Sequence, residues 1–366
     1  LGRGRGLLRC SPAPDDAPER REPARRVALR AEVRAGVWAG CPRIMRLPLR
    51  AALSTLSLSL SASSSAVPGT MSSSAGLMMI LSPAKTLDFA SPLPEDLPPP
   101  TLPECSPEKT AQLAEHLASL STAKLTKLLN VSAKLGAENA ARAAAFCVEP
   151  AEADPANLRP AVFAYDGPAF KGISPEGLDA EACAYAQANL RIISGLYGAL
   201  RPLDQIQPYR LEMATRNALP DVKKLADFWR GDVTEDISTA LAARPAAARV
   251  LVNLASDEYS SAVDKTALPE GTRVVKVIFR DEGRVMSVFA KRARGLMVRH
   301  LCAAQAQSVD DVRAFDLEGY VLQEDGDEDT VVFDRPKANR PAPGAKAKAK
   351  AAPAKKGKAA AAGAKK

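Results

Sequence analysis

Short apolar runs that stop at polar clusters recur along this chain. Val250 to Val252 with Leu254 is a β-branched and aliphatic run of the kind buried on both faces of a parallel sheet. It ends in Ser256, Asp257 and Glu258, residues suited to capping and opening a helix. Leu77 to Leu81 is a second such run; it stops at Ser82-Pro83, because Pro83 supplies no N–H, and Lys85 follows at the strand's carboxyl end. Ala161 to Tyr165, before Asp166-Gly167-Pro168, and Arg191 to Ser194, before Gly195 and Gly198, predict two more strands with turns. Arg273 to Arg280 and Val285 to Ala290 read as a hairpin turning at Asp281-Glu282-Gly283. Gly319 to Leu322 and Val331 to Phe333 read as terminal strands around an acidic turn.

The period changes between these strands. Pro92 to Pro107 is a proline-rich loop, and from Pro107 to Phe146 the apolar positions Leu113, Leu117 and Leu120 recur at helical spacing. Within it, Leu125 to Arg142 predicts two short helices around a compact turn, similar to a helix-hairpin-helix. Lys124, Lys127, Lys134 and Arg142 are placed to meet DNA phosphates, or to be the solvated cations of an ordinary helix pair. Asp179 to Leu190 is a further helix. The stretch from Lys291 to about Ala306 predicts another, opening with Lys291, Arg292 and Arg294, three cations that would oppose the helix dipole unless an anion lies near. Strands alternating with helices predict an α/β fold: a single compact domain, a mixed sheet flanked by helices, with the hairpin unit included.

Charge divides the chain. Residues 1–70 carry +7, with twelve Arg and five acids, and residues 337–366 carry +10. Against the formal total of +8, residues 71–336 are left at −9. The basic balance therefore belongs to the ends, and DNA binding by the body needs a localised basic face. Three regions are expected: an extension over 1–76, an α/β domain over 77–335, and a Lys/Ala-rich disordered tail over 336–366 able to meet polyanions. The Arg- and Ser-rich start resembles an organelle transit peptide, though its acids count against that, and Met45 or Met71 offers another start. Six scattered Cys without a C-x-x-C pair, and two His, give neither a disulfide framework nor a zinc site, so no metal is expected. No apolar window reaches the ~18 residues of a membrane span.

Candidate chemistry lies where polar residues follow buried strands, the edge at which open α/β sheets bind ligands. Lys85 is placed to grip an anion, and Arg210, in the polar stretch Pro208 to Met213, to fork onto a phosphate or carboxylate or to pair with Glu212. Asp257 or Glu258 could act as a base. The glycines at 195 and 198 carry no Walker or dinucleotide signature around them.

Several segments together resemble the YaaA-type peroxide stress proteins. They are ILSPAKTLDF from Ile80, LRIISGLYGALRPLDQIQPYRLEM from Leu190, FWRGDVT from Phe228, VNLASDEYSSAV from Val252, AKRARGLM from Ala290 and EGY from Glu318. The resemblance implies an intracellular, cytoplasmic protein that binds duplex DNA without sequence preference and limits unincorporated iron under hydrogen peroxide, with no cofactor and no membrane. An organelle location applies if residues 1–70 are a transit peptide. It also implies a cleft built from Lys85, Tyr209, Arg210, Glu212, Asp257, Glu258, Lys291 and Arg294, to which Arg292 is adjacent. Ala214 stands where the family tends to have Gly. The alternative is an enzyme acting on an anionic or nucleotide-like small molecule in that cleft.

Overall fold

The two runs that are apolar on both sides become the middle of the sheet. In the computed structural model, which describes residues 76–340, β1 (Met78–Leu81) is buried at every position. After it come α1 (Pro107–Ser119), α2 (Thr122–Leu129) and α3 (Ala133–Ala145), then β2 (Arg159–Pro160), α4 (Ala161–Ala164), α5 (Pro168–Ile173) and α6 (Ala180–Asn189). The middle continues with β3 (Leu190–Ser194), β4 (Gly198–Leu200), β5 (Gln205–Ile206), β6 (Arg216–Leu219), β7 (Val222–Lys224) and α7 (Leu225–Ala242). The last third holds β8 (Val250–Leu254), α8 (Asp257–Ser260), β9 (Arg273–Asp281), α9 (Ser287–Ala304), α10 (Val309–Arg313), β10 (Val321–Leu322) and β11 (Thr330–Arg335).

Seven strands form one sheet in the order β10-β11-β9-β8-β1-β3-β4. The five inner strands run parallel, and the edges β10 and β4 are antiparallel to their neighbours. Parallel pairing needs cover on both faces, which is why β1, β3 and β8 are wholly buried. Helices α5, α6 and α9 pack together, while α7 lies against β1 and β4, with Trp229 fully buried. The result is one compact α/β domain, a mixed sheet flanked by helices. The described structure continues past Arg335: Lys337–Asn339 make a 3-10 turn, and the Arg340 guanidinium reaches Asp281 at 3.4 Å. The rest of the two expected extensions lies outside the described residues.

Three local expectations are corrected. Ala161 to Tyr165 is a helical turn, α4, and only Arg159–Pro160 is extended. The Ala161 and Val162 amides donate to Asp204 and Pro202 carbonyls, and the Tyr165 amide turns back onto Ala161, so the backbone closes locally. A short apolar run is equally compatible with either state. The predicted hairpin after β9 is absent: one bridge joins Asp281 and Arg284, and α9 begins at Ser287. β9 takes parallel partners on both sides instead, and Val285, Met286 and Val288 stay exposed, so they gave an apolar pattern without a core face. Because α9 starts early, Lys291, Arg292 and Arg294 fall beyond its first turn, where the dipole argument no longer applies.

Close packing of α9 on α5 depends on Gly295, where an added Cβ would lie 1.7 Å from the Ala169 carbonyl oxygen. Gly295→Ala is expected to destabilise by about 1–3 kcal/mol or more. Gly231, exposed within α7 with nothing within 4 Å of an added Cβ, is the contrasting case. There Gly→Ala is expected to stabilise by roughly 0.5–1 kcal/mol. Urea unfolding midpoints that shift the same way in both variants would contradict this packing.

Candidate functional site

All five parallel strands finish on one edge, and that edge gathers polar groups from distant segments. The ends of β1 and β8 are joined by side chains: Ser256 N–H donates to Ser82 Oγ at 2.9 Å, and the two hydroxyls lie 3.2 Å apart. Ser256 thus stands at the N-cap of α8 while its hydroxyl faces Ser82 and makes no cap bond to the helix. Beyond Ser82, Lys85 reaches back to Glu212, Nζ to Oε2 at 2.5 Å, and Arg210 Nη2 meets the other oxygen of that carboxylate at 3.3 Å. Arg210 Nε is buried with no hydrogen-bond partner among the described residues.

On the β8 side, Glu258 accepts the Ala214 amide at 3.0 Å. Asp257 is exposed and lies 3.6 Å from Lys276 Nζ on β9. Burial lowers the Arg294 pKa, an effect that the nearby Asp257 carboxylate opposes. Behind these charges, Tyr209 joins two other hydroxyls at 2.6 Å each, those of Tyr165 and of Ser194 at the end of β3. Burial pushes the Tyr209 phenol up to about 12, while its bonds to Ser194 and Tyr165 pull the other way. Tyr259 is raised by burial and, next, by the Glu258 carboxylate.

The edge therefore unites Lys85, Tyr209, Arg210 and Glu212, with Asp257, Glu258 and Arg294 on the β8 side. Arg292 is not part of it. Its guanidinium grips Glu318 through Nε at 3.0 and 3.1 Å and Nη2 at 2.6 Å. Lys291 is exposed and pairs with none of the described carboxylates. Sequence reasoning missed Tyr165, Ser194, Tyr259 and Lys276. Ser194 carried the same signal as Lys85, a polar residue closing a buried strand, whereas Tyr165 lay in a segment read as strand.

The hairpin is a separate surface. Residues 130–132 join α2 to α3, with Asn130 at positive φ and the Ser132 hydroxyl accepting the Leu135 amide. Gly136 lies inside α3, where an added Cβ would meet Thr126 Oγ1 of α2 at 1.8 Å. Lys124, Lys127 and Lys134 are exposed and pair with none of the described acids. Arg142 is instead bound to Glu138 at 2.5 Å. It lines a small, partly open pocket of about 20 Å³ between the hairpin and Tyr209–Arg210. Among the described residues no three of His, Cys, Asp or Glu gather to hold a metal ion, and no helix is long and apolar enough to cross a membrane.

Residues 77–326 match the family profile described as "Peroxide stress protein YaaA". The UPF0246 protein of Delftia acidovorans is 43% identical over 250 residues, 67% of this chain and 93% of that protein. That of Laribacter hongkongensis is 42% identical over 252 residues, again 67% and 93%. The UPF0246 protein of Alteromonas mediterranea is 40% identical over 255 residues, 68% and 94%.

All six tyrosines have raised pKa values, with burial the largest cause at each. A phenol held neutral by the fold contributes stability that is intact below the ordinary pKa near 10 and lost as pH climbs through the folded value. Absorbance at 295 nm is expected to stay flat through pH 10 and to rise only toward pH 12, together with unfolding. A one-tyrosine step near pH 10 in folded protein would contradict this burial.

Proposed function

The chain belongs to the peroxide stress protein YaaA family, and from that membership we propose that it protects DNA during peroxide stress by lying on the duplex backbone and limiting unincorporated iron. The observation that carries the DNA reading is the hairpin. Three lysines, Lys124, Lys127 and Lys134, project from it without competing carboxylates, although residues 71–336 are acidic overall. Lys124 and Lys127 stand on α2 and Lys134 at the start of α3, whose Ala133 and Lys134 amides lack intrahelical acceptors and suit a phosphate oxygen. Such contacts grip the backbone and carry no sequence information. The lysine-rich residues 341–366 add a second, sequence-blind affinity for polyanions. Iron limitation enters through family membership: the edge carboxylates alternate with Lys85, Arg210 and Arg294, a mixture better suited to anions than to an oxygen-liganded cation. An intracellular location accords with this reading, and targeting to an organelle would depend on residues 1–70.

A second reading is favoured by the edge itself. Lys85 and Arg210 already share one carboxylate, that of Glu212, so the pair can hold an anionic group of a small molecule. Asp257 or Glu258 would then serve as base, at the edge where α/β sheets bind ligands.

The DNA reading is tested with the full chain, so that residues 341–366 contribute equally to every variant. Replacing Lys124, Lys127 and Lys134 together by Ala is expected to weaken duplex binding uniformly across sequences. It should also reduce the slope of log affinity against log salt by about 3. An unchanged slope would assign all binding to other cations and remove the hairpin from the account.

A further inference from the structure

Away from the strand edge, the outer side of α3 borders an open pocket of about 300 Å³. Ala141 and Ala145 line it, both exposed and both too small to fill it. Arg142 lines it beside Glu138, its ion-pair partner. Phe146, the residue after α3, is only partly buried and lines it too, as does Pro208 from the segment after β5. Apolar and aromatic walls that carry a few fixed polar groups are the form of a small-molecule site, and such sites start at about 300 Å³.

Gln207 supplies a fixed polar group to this wall. It is 5% exposed, and both ends of its side-chain amide bond to one backbone unit. Oε1 accepts the Cys147 amide at 2.9 Å, and Nε2 donates to the Cys147 carbonyl at 2.7 Å. Those bonds hold the amide plane, and they use one of its two N–H groups and one of its two oxygen lone pairs. A donor and an acceptor remain side by side, the pair with which an amide side chain reads the edge of adenine. Asn157 adds a second amide to the wall.

The position of the pocket selects its occupant. Lys134, Glu138, Ala141 and Ala145 follow one another at spacings of four, three and four, so they share one face of α3. Lys134 is the exposed hairpin cation at the start of that helix. The seven-residue step from it to Ala141 spans about 10 Å of helix. That is roughly three steps of a DNA strand. A strand whose phosphate lies at Lys134 and the first α3 amides therefore brings a nucleotide two or three positions further on to the pocket. An unpaired base gives up the least on leaving the stack.

We propose that this pocket accepts a single unpaired nucleobase of DNA, stacked on Phe146, while Lys134 and the start of α3 hold a phosphate of the same strand. The inference rests on the DNA reading given above and adds to it the form of DNA preferred, a duplex interrupted by an unpaired base. Stacking on an aromatic face tolerates every base, and Gln207 favours adenine among them.

The test compares binding of the full chain to three duplexes: fully matched, with one extra adenine, and with one extra abasic nucleotide. The abasic duplex keeps the flexibility of the bulge and removes only the base. The extra-adenine duplex is expected to bind about ten-fold tighter than the matched one, and the abasic duplex within about two-fold of it. Ala141→Leu combined with Ala145→Leu fills the pocket at two exposed positions where leucine suits a helix, so this variant folds. It is expected to bring the extra-adenine duplex to the matched level and to leave the matched duplex unchanged. Equal binding of all three duplexes by the unsubstituted protein overturns the pocket and leaves the DNA reading standing. Equal gains from the adenine and abasic bulges assign the preference to duplex bending and also overturn it. A preference that survives both leucines places the base elsewhere, with the same consequence. Absence of binding to any duplex, or affinities unmoved when Lys124, Lys127 and Lys134 are replaced together by Ala, removes the hairpin reading and the pocket with it.

Discussion

Parallel pairing of β1 with β3 on one side and β8 on the other is the constraint on which the rest depends. Strands covered on both faces must be apolar throughout, and they can turn polar only at their ends. Parallel direction then puts those ends on one edge, so Ser82, Gly195 and Ala255 all emerge together. The bond from the Ser256 amide to Ser82 Oγ fixes the spacing of the two central ends. Lys85, Tyr209 and Glu258 converge because the sheet leaves their segments no other exit.

A second group of charges holds the far side of the same edge. Asp281, at the end of β9, accepts Arg335 at 2.7 Å and the Tyr320 hydroxyl at 3.1 Å. Glu318 joins Arg292 of α9 to Arg335, whose guanidinium lies between the Phe289 and Tyr320 rings. Breaking one partner of such a buried set costs about 3–5 kcal/mol, because the other charge is stranded. This network secures the start of α9 to β9 and β11, and so places Arg294 opposite Asp257. Arg292, which its neighbours in sequence made a candidate for ligand binding, is spent on this structural task.

The legible parts of the sequence were those governed by local periodicity and by strand ends. β1 and β8 announced themselves as continuous apolar runs, and Lys85, Asp257 and Glu258 followed from where those runs stop. Helix α1 followed from leucine spacing, and the α2–α3 pair was read from Leu125 to Arg142 as two short helices around a turn. What stayed hidden depended on partners far along the chain. Ala161 to Tyr165 could have been strand or helix until the carbonyls of Pro202 and Asp204 took its amides. Val285, Met286 and Val288 lacked the buried face that their pattern suggested, and the early start of α9 moved the cations away from the helix terminus. The Tyr165–Tyr209–Ser194 chain joins three segments, and no spacing within one segment encodes it.

Convergence of Lys85 and Glu212 is the central claim, and zero-length carbodiimide coupling of the folded full chain followed by peptide mass spectrometry tests it most directly. The Lys85 amine and Glu212 carboxylate, 2.5 Å apart, should yield an amide-linked peptide pair. Lys171 and Asp166, 3.1 Å apart and both partly exposed, report that the reagent has worked. A Lys85–Glu212 product comparable to that control is the result expected. The control product alone, or Lys85 joined instead to unrelated carboxylates, would contradict the shared edge.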